Sequence, residues 1–223
     1  MKKIITLVLL SSALLVNAQI TRGGGGAFSL GLQTLETESL GAFYTGTMPL
    51  SSSNFSFGGY GYGQLDNWIL GFSGAGIYGF EQKDENYVYS FGGGYIAADL
   101  GYKFVNNEKW SLYPFASIGF GGVGYSIYSN EAEDITLGDS ITFNNVSYGW
   151  GNVVYGAGVR VEKYFESKDP CGSSGLLGLE IGFLTSPSDN NWTLSYGEKV
   201  NGAPDYSMES LFVRLTIGGF GGK

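Results

Sequence analysis

The sequence predicts an all-β fold: a transmembrane, antiparallel, up-and-down β-barrel, with eight strands as the preferred count. Three observations predict it. Apolar residues recur with a period of two along most of the chain, which is the signature of strands. The opposite face of these segments is rich in glycine and poor in charge, as expected for the interior of a small barrel. After the first 18 residues no apolar run approaches the roughly 20 residues that a spanning helix needs, so a membrane location requires a barrel.

Eight segments carry the alternating pattern, at residues 27–35, 53–63, 68–80, 87–105, 110–128, 148–164, 175–184 and 208–220. In the fourth segment Ile96, Leu100 and Phe104 share one face, and in the eighth Leu211 and Leu215 do so. A count of ten stays open, because residues 40–47 could pair as an additional strand.

The connections between these segments differ in length and charge. Three are short or moderate turns (64–67, 106–109 and 165–174), whereas the others (36–52, 81–86, 130–147 and 185–207) are long apart from 81–86. A membrane barrel with both chain ends on one side has short turns there and long loops on the other side. The second group holds twelve acidic and two basic residues, so we expect the net negative charge to lie at one end of the barrel.

The two longest segments, 87–105 and 110–128, exceed the roughly 9–11 residues that a strand needs to span a membrane. We expect their excess to project as a sheet whose edge could add a strand from a partner. Aromatic residues of the loops, Trp192 among them, are expected to contribute to any surface contact.

Six charged residues fall on the glycine-rich face and are predicted to lie inside the barrel: Asp99, Lys103, Arg160, Glu162, Glu180 and Arg214. Three acids face three bases, so their charges cancel. Because buried charges must be paired, the favoured interpretation is an ion-pair network that seals the interior. A proton path or a selectivity ring is the alternative.

Aromatic residues gather near the predicted strand ends, which favours two girdles at the membrane interfaces. Those near the short turns are Trp68, Tyr102, Phe104, Trp110, Tyr113, Tyr164 and Phe165. Those near the loops are Tyr78, Phe80, Tyr87, Tyr89, Tyr125, Tyr128, Tyr148 and Trp150.

The pattern as a whole, ending in the strand that carries Leu211 and Phe220, resembles the small outer-membrane β-barrels, the porin-like family with OmpA and OmpX types. The resemblance covers nearly all of the chain after residue 18. It implies a place in the outer membrane of the Gram-negative cell envelope, with membrane lipid, lipopolysaccharide and the barrel-insertion machinery as partners. The family usually ends its final strand on an aromatic residue; here three residues follow Phe220. A second, peptidoglycan-binding domain is not expected after it.

Residues 1–18 have the features of a secretory signal peptide. Lys2 and Lys3 precede a thirteen-residue apolar stretch at 4–16, and residues 16–18 read Val-Asn-Ala, a small-residue cleavage pattern. The stretch is shorter than a membrane anchor requires. The sequence therefore predicts export and a barrel domain at 19–223.

Several functional classes are excluded by composition. The chain has no histidine, which excludes hydrolysis that depends on an imidazole base, and we expect no enzymatic activity. A pI near 4.5 disfavours nucleic acid as a partner. Residues 74–79 and 119–124 match the glycine spacing of dinucleotide-binding loops, but both fall inside strand patterns.

No cofactor or metal is expected. Four acidic residues of one loop, Glu131, Glu133, Asp134 and Asp139, could ligate calcium, but their spacing lacks the EF-hand pattern and a solvated acidic loop is favoured. Cys171 is interpreted as an inert turn residue, with an intermolecular disulfide as the alternative.

Two functions remain. The first is a non-enzymatic barrel with a structural or surface-interaction role, acidic outer loops and a largely filled interior. The alternative is a small porin-like channel for ions or small solutes. A soluble secreted sandwich is a third interpretation.

Overall fold

The computed structural model describes residues 23–37, 52–79, 81–83, 85, 87–107, 109–129, 146–165, 173–195 and 197–221. The predicted signal peptide, the possible strand at 40–47, the four acidic loop residues Glu131, Glu133, Asp134 and Asp139, and Cys171 lie outside these ranges.

Eight long strands make up the wall: β1 Gly24–Thr34, β2 Ser53–Leu65, β3 Trp68–Tyr78, β4 Tyr87–Tyr102, β5 Trp110–Ser129, β6 Val146–Phe165, β7 Ser173–Thr185 and β8 Ser210–Gly221. Each pairs antiparallel with the next along the chain. The sheet closes where β1 pairs with β8, from Gly24 opposite Gly221 to Gln33 opposite Phe212. The prediction of an eight-stranded, antiparallel, up-and-down barrel is confirmed.

Within the described ranges, no helix has the length and apolar character to cross a membrane.

A tight turn and a bulge determine where two of the strands end. β2 and β3 are joined by the two-residue turn Asp66–Asn67, in which Asp66 has a φ of 55°, as tight hairpin turns require. The predicted segment 87–105 ends earlier, at Tyr102, because the register changes: Gly101 lies opposite Phe115 but Val105 lies opposite Leu112. The segment 101–105 therefore has one residue more than the segment of β5 that it faces, which is a β-bulge. At this bulge the backbone amide of Lys103 donates a hydrogen bond to the Asn67 carbonyl, at 2.8 Å.

The outward face of the barrel is apolar on every strand. Phe72, Phe120 and Leu215 are each 65–68 % exposed. The rest of that face carries mainly Leu, Ile, Val and aromatic side chains, for example Phe28, Leu70, Ile96, Ile118, Tyr155, Leu179, Ile181 and Ile217. A contiguous apolar surface of this extent is unfavourable in water and is the surface that a bilayer covers in a transmembrane barrel.

Strands β4, β5 and β6 rise above their neighbours at the end of the barrel that carries the long loops (the loop end). The expectation that this sheet offers an open edge to a partner is wrong where the structure describes it. Gln82–Lys83 pairs with the outer part of β4 at Tyr89 and Val88, and Thr193–Leu194 pairs with β6 at Gly149 and Tyr148. The chain's own segments therefore occupy both edges.

Candidate functional site

The barrel interior contains all six of the charged side chains that the sequence analysis assigned to it, and each is at most 2 % exposed. Four form one chain of ion pairs. Arg160 Nη2 lies 2.9 Å from Asp99 Oδ2, Arg160 Nε lies 3.0 Å from Glu180 Oε2, and Arg214 Nη1 lies 3.6 Å from Glu180 Oε1. Two acids and two bases make this charged layer neutral.

The same layer is closed by polar and aromatic contacts. The Arg160 guanidinium lies between the rings of Tyr60 and Phe115, 4.1 Å from each centroid. Asp99 Oδ1 accepts hydrogen bonds from the hydroxyls of Ser73 at 2.9 Å and Ser117 at 2.6 Å. Arg214 donates to Ser56, Tyr95 and Gln33. Such satisfied partners are what make buried charges tolerable.

Glu162 and Lys103 lie nearer the barrel end that carries the short turns and the chain termini (the terminal end). The Glu162 carboxylate accepts five hydroxyl hydrogen bonds of 2.7–3.0 Å, from Tyr60, Tyr62, Tyr113, Tyr164 and Ser111. Lys103 Nζ donates to Gln64 Oε1 at 2.9 Å and to the Tyr164 hydroxyl at 3.0 Å. The Tyr164 hydroxyl thus joins the two opposite charges. We refer to this group as the tyrosine layer.

Sequence reasoning missed the tyrosines of this layer. Tyr113 and Tyr164 were assigned to a lipid-facing girdle, but they are 0 % and 9 % exposed and point inward. The same correction applies at the loop end to Tyr89, Tyr125 and Trp150. Side chains alternate between the two faces of a strand, so closeness to a strand end does not decide the face. The inward alternation that Tyr113 and Tyr164 share with neighbours such as Glu162 was the available signal.

The aromatic residues that do face outward lie at both ends of the apolar surface. Trp68, Phe104, Trp110 and Phe165 do so at the terminal end, and Tyr78 and Tyr128 at the loop end. Tyr87 and Tyr148, also expected in the girdle, share the inward faces of Tyr89 and Trp150. Lys163 Nζ lies 5.4 Å from the ring centroids of Trp110 and Phe165. Phe80 lies outside the described residues.

Above the charged layer the interior is mostly apolar, with the buried polar side chains Asn54 and Ser210 among the apolar ones. Its buried wall residues include Leu35, Ile77, Tyr89, Phe91, Tyr95, Val123, Tyr125, Trp150, Val154, Leu184 and Phe212. The loop between β7 and β8 completes this apolar layer, because Trp192, Tyr206 and Met208 are 0–1 % exposed and belong to the same cluster. The interpretation of Trp192 as a surface-contact residue is therefore wrong. Its ring packs against Tyr206 at 5.5 Å, and its indole donates to the Pro204 carbonyl at 3.1 Å.

One carboxylate anchors this loop to the barrel wall. Asp189 accepts from Trp150 Nε1 at 2.7 Å and Asn152 Nδ2 at 2.8 Å, both on β6. It also accepts from the backbone and side-chain amides of Asn191, at 3.1 and 2.9 Å. Desolvation acts against ionisation of Asp189, but these hydrogen bonds, from Asn191 and then Trp150, outweigh it and hold the pKa below its ordinary value.

The contribution of Asp189 to stability should depend on pH in a defined direction. A depressed folded-state pKa gives stabilisation that is complete above the ordinary aspartate range and is lost as the pH falls through the lower folded value. We expect the urea midpoints of the wild type and Asp189→Asn to differ by a constant amount above about pH 5 and to converge at lower pH. If the two urea midpoints still differ by the same amount at about pH 2, below the ordinary aspartate range, the loss of stability in Asp189→Asn is due to altered packing or hydrogen-bond geometry and not to the loss of the charge.

The two glycine motifs are parts of strands in the barrel wall. Residues 74–78 lie in β3 and 119–124 lie in β5, and each is followed by further strand or loop, so neither supplies the helix N-terminus on which a dinucleotide phosphate rests. Among the described residues, no group of three or more His, Cys, Asp or Glu side chains could hold a metal ion.

A closed wall with an apolar outer face surrounds a neutral, hydrogen-bonded interior. The fold is a small, closed, eight-stranded antiparallel β-barrel. The barrel is similar to the solved structure of Ail, the attachment invasion locus protein of Yersinia pestis, at 14 % identity and a TM-score of 0.49, over 88 % of this chain and 98 % of that one. It is also similar to Neisserial surface protein A, at 12 % identity and a TM-score of 0.45, over 90 % and 97 % of the two chains.

A further similar structure is a major outer membrane protein from Thermus thermophilus, with 9 % identity and a TM-score of 0.43 over 88 % of this chain and 98 % of that one. No protein-family model matches the sequence, and no curated protein matches it. The roles of individual residues are therefore assigned from the geometry of this barrel alone.

Proposed function

We propose that this protein is a non-enzymatic barrel of the bacterial outer membrane with a structural or surface-interaction role. The observation that carries the proposal is the combination of an apolar outer face with an interior filled by neutralised, hydrogen-bonded side chains. A barrel of this kind contributes its outer face to the membrane and its loops to the cell surface. Its interior is used to hold the wall together.

Export by the signal peptide at 1–18, assembly by the barrel-insertion machinery and contact with lipopolysaccharide complete the proposal. Support comes from the sequence pattern at the N-terminus and from the excess of acidic residues in the loop segments. Divalent ions that bridge acidic loops to anionic lipopolysaccharide are a chemically reasonable mode of contact.

The buried carboxylates are poor candidates for catalysis. Glu162 accepts five hydroxyl hydrogen bonds, while Asp99 and Glu180 are paired with Arg160. A general base must be able to reach a substrate proton, and each of these groups is at most 2 % exposed. With no histidine in the chain, the described part of the interior offers hydrolysis no general base within reach of a substrate.

The interior also argues against the channel alternative. Its largest fully buried side chains include Trp192, Arg160, Arg214 and Tyr113, and they lie at three successive levels between the loop end and the terminal end. Eight strands leave a lumen that side chains just fill. We therefore expect no steady conductance.

Three measurements, two of them on purified, detergent-folded protein, test the proposal. Gel mobility should shift on heating, and the native protein should fractionate with the outer membrane; absence of both would favour the soluble sandwich. Planar bilayers that contain the folded protein should be silent. A steady conductance that changes in Glu180→Gln, but not in the control Glu198→Gln at an exposed loop position, would replace the structural role with the channel.

A further inference from the structure

We propose that residues 186–195 and 197–209 form a lid that opens while the barrel stays closed, and that Asp189 is its latch. The lid bridges the mouth of the barrel at the loop end, from β6 on one side to the start of the β1 loop on the other. The proposal concerns a conformational device and holds whichever of the above functions the barrel performs.

On the β6 side the lid is attached mainly through polar groups. Asp189 accepts hydrogen bonds from Trp150 and Asn152 of the wall, and it is only partly buried, so water can compete for the same donors. The remaining ladder is short, since only Thr193 and Leu194 pair with β6. Further bonds run from the Ser195 amide to the Ser147 carbonyl at 3.1 Å, from Asn152 Nδ2 to the Pro187 carbonyl at 3.3 Å and from the Thr193 hydroxyl to the Gly149 carbonyl at 3.4 Å.

On the opposite side the lid is attached to the segment that follows β1. The Tyr206 hydroxyl donates to the Glu36 carbonyl at 3.2 Å, and the Glu36 amide donates to the Glu209 carbonyl at 3.1 Å. By contrast, β5 and β6 share eighteen register partners, from Trp110 opposite Lys163 to Ile127 opposite Val146. Opening the lid breaks a small set of bonds, whereas opening the wall breaks a long ladder.

The underside of the lid gives the closed state its stability. Trp192, Tyr206 and Met208 are buried against the apolar layer, and each would be exposed on opening. Beneath them the charged layer remains closed by its own ion pairs. An open lid thus produces a cup that faces outward and has a mostly apolar wall, and it does not produce a through-channel.

A pair of rate measurements tests the lid. Lys199 lies on the exposed side of the lid and is the only lysine or arginine between Lys168 and Arg214, so trypsin cleavage after it gives a defined fragment. Ser210, on β8 below the lid, is 4 % exposed and its hydroxyl has no hydrogen-bond partner among the described residues. Ser210→Cys in a Cys171→Ser background is then a near-isosteric reporter of access to the cup by a water-soluble maleimide.

The decisive variant is Asp189→Asn. Its new amide nitrogen meets the donors of Asn152 or Trp150 in place of an acceptor oxygen, and the charge that strengthened these hydrogen bonds is lost. We expect cleavage at Lys199 and labelling at position 210 to rise together by at least about tenfold. The matched control is Asp205→Asn, which removes an exposed carboxylate from the same lid and should change neither rate. Cleavage at Lys83, on another loop, should stay constant in every variant.

Three outcomes would overturn the proposal. Unchanged rates would show that Asp189 is not a latch. Faster cleavage with unchanged labelling would show that only the Thr193–Lys199 hairpin frays. Loss of the heat-dependent gel shift in Asp189→Asn would show that the barrel opens together with the segment, so that the lid is not a separate unit.

Discussion

Replacing Arg160 with methionine should destabilise the barrel by about 3–5 kcal/mol, the largest effect that we expect from a single side chain. The guanidinium bonds Asp99 and Glu180 and stacks between Tyr60 and Phe115. Methionine keeps much of the stack but leaves two carboxylates buried, with only Arg214 remaining near Glu180, at 3.6 Å. The measurement is the urea midpoint of the detergent-folded protein, read from the heat-dependent gel shift.

The control for Arg160→Met is Lys163→Met on the same strand. Lys163 is exposed on the outward face, and its removal should cost less than about 1 kcal/mol. The triple variant Arg160→Met, Asp99→Asn, Glu180→Gln should regain part of the loss, because the unpaired charges are then gone. Equal midpoints for Arg160→Met and Lys163→Met would contradict the structural role of the charged layer.

The second large effect is expected at Gly119, where alanine should cost about 3 kcal/mol or prevent folding. A Cβ at this position would lie 2.0 Å from the Ile96 carbonyl oxygen and 2.5 Å from the Ala97 Cα on the paired strand. Both atoms belong to the backbone, so relief requires β4 and β5 to separate at the centre of their ladder. Folding yield and the urea midpoint both report the effect.

Gly124 is the matched control, since it lies on the same strand and in the same glycine motif. A Cβ there would meet only the Tyr148 carbonyl oxygen, at 3.9 Å, and alanine should change the midpoint by less than about 0.5 kcal/mol. If both variants fold with the wild-type midpoint, close approach of the strands is not the reason for glycine at 119.

The period of two was sufficient to predict the wall and the face of each charged residue, because alternation is a local property of a strand. Asp99 and Arg160 point inward for the same reason that Ile96 and Tyr155 point outward. Which charges meet depends on register, since Arg160 lies directly opposite Glu180 and Glu180 opposite Arg214. Register is set by the bulges, the turns and the closure of the sheet, and none of these could be derived from alternation alone.

The lid could not be predicted in the same way. Residues 186–209 have no regular period, so the sequence pattern indicated only a long loop. Its buried side chains, Trp192, Tyr206 and Met208, acquire their surroundings from strands that are distant in the sequence. Asp189 illustrates the same point, because two of its donors lie on β6, at Trp150 and Asn152.

The charged layer also has a consequence for the order of assembly. Its members come from four strands, with Asp99 on β4, Arg160 on β6, Glu180 on β7 and Arg214 on β8, and long-range contacts of this kind form late. A partly assembled sheet that lacks β7 and β8 can pair Arg160 with Asp99, but it lacks Glu180 and Arg214 and therefore the other two ion pairs of the layer. We therefore expect the complete charged layer to form only in the last step of assembly, when β8 has arrived beside β1 and Arg214 can reach Ser56 on β2.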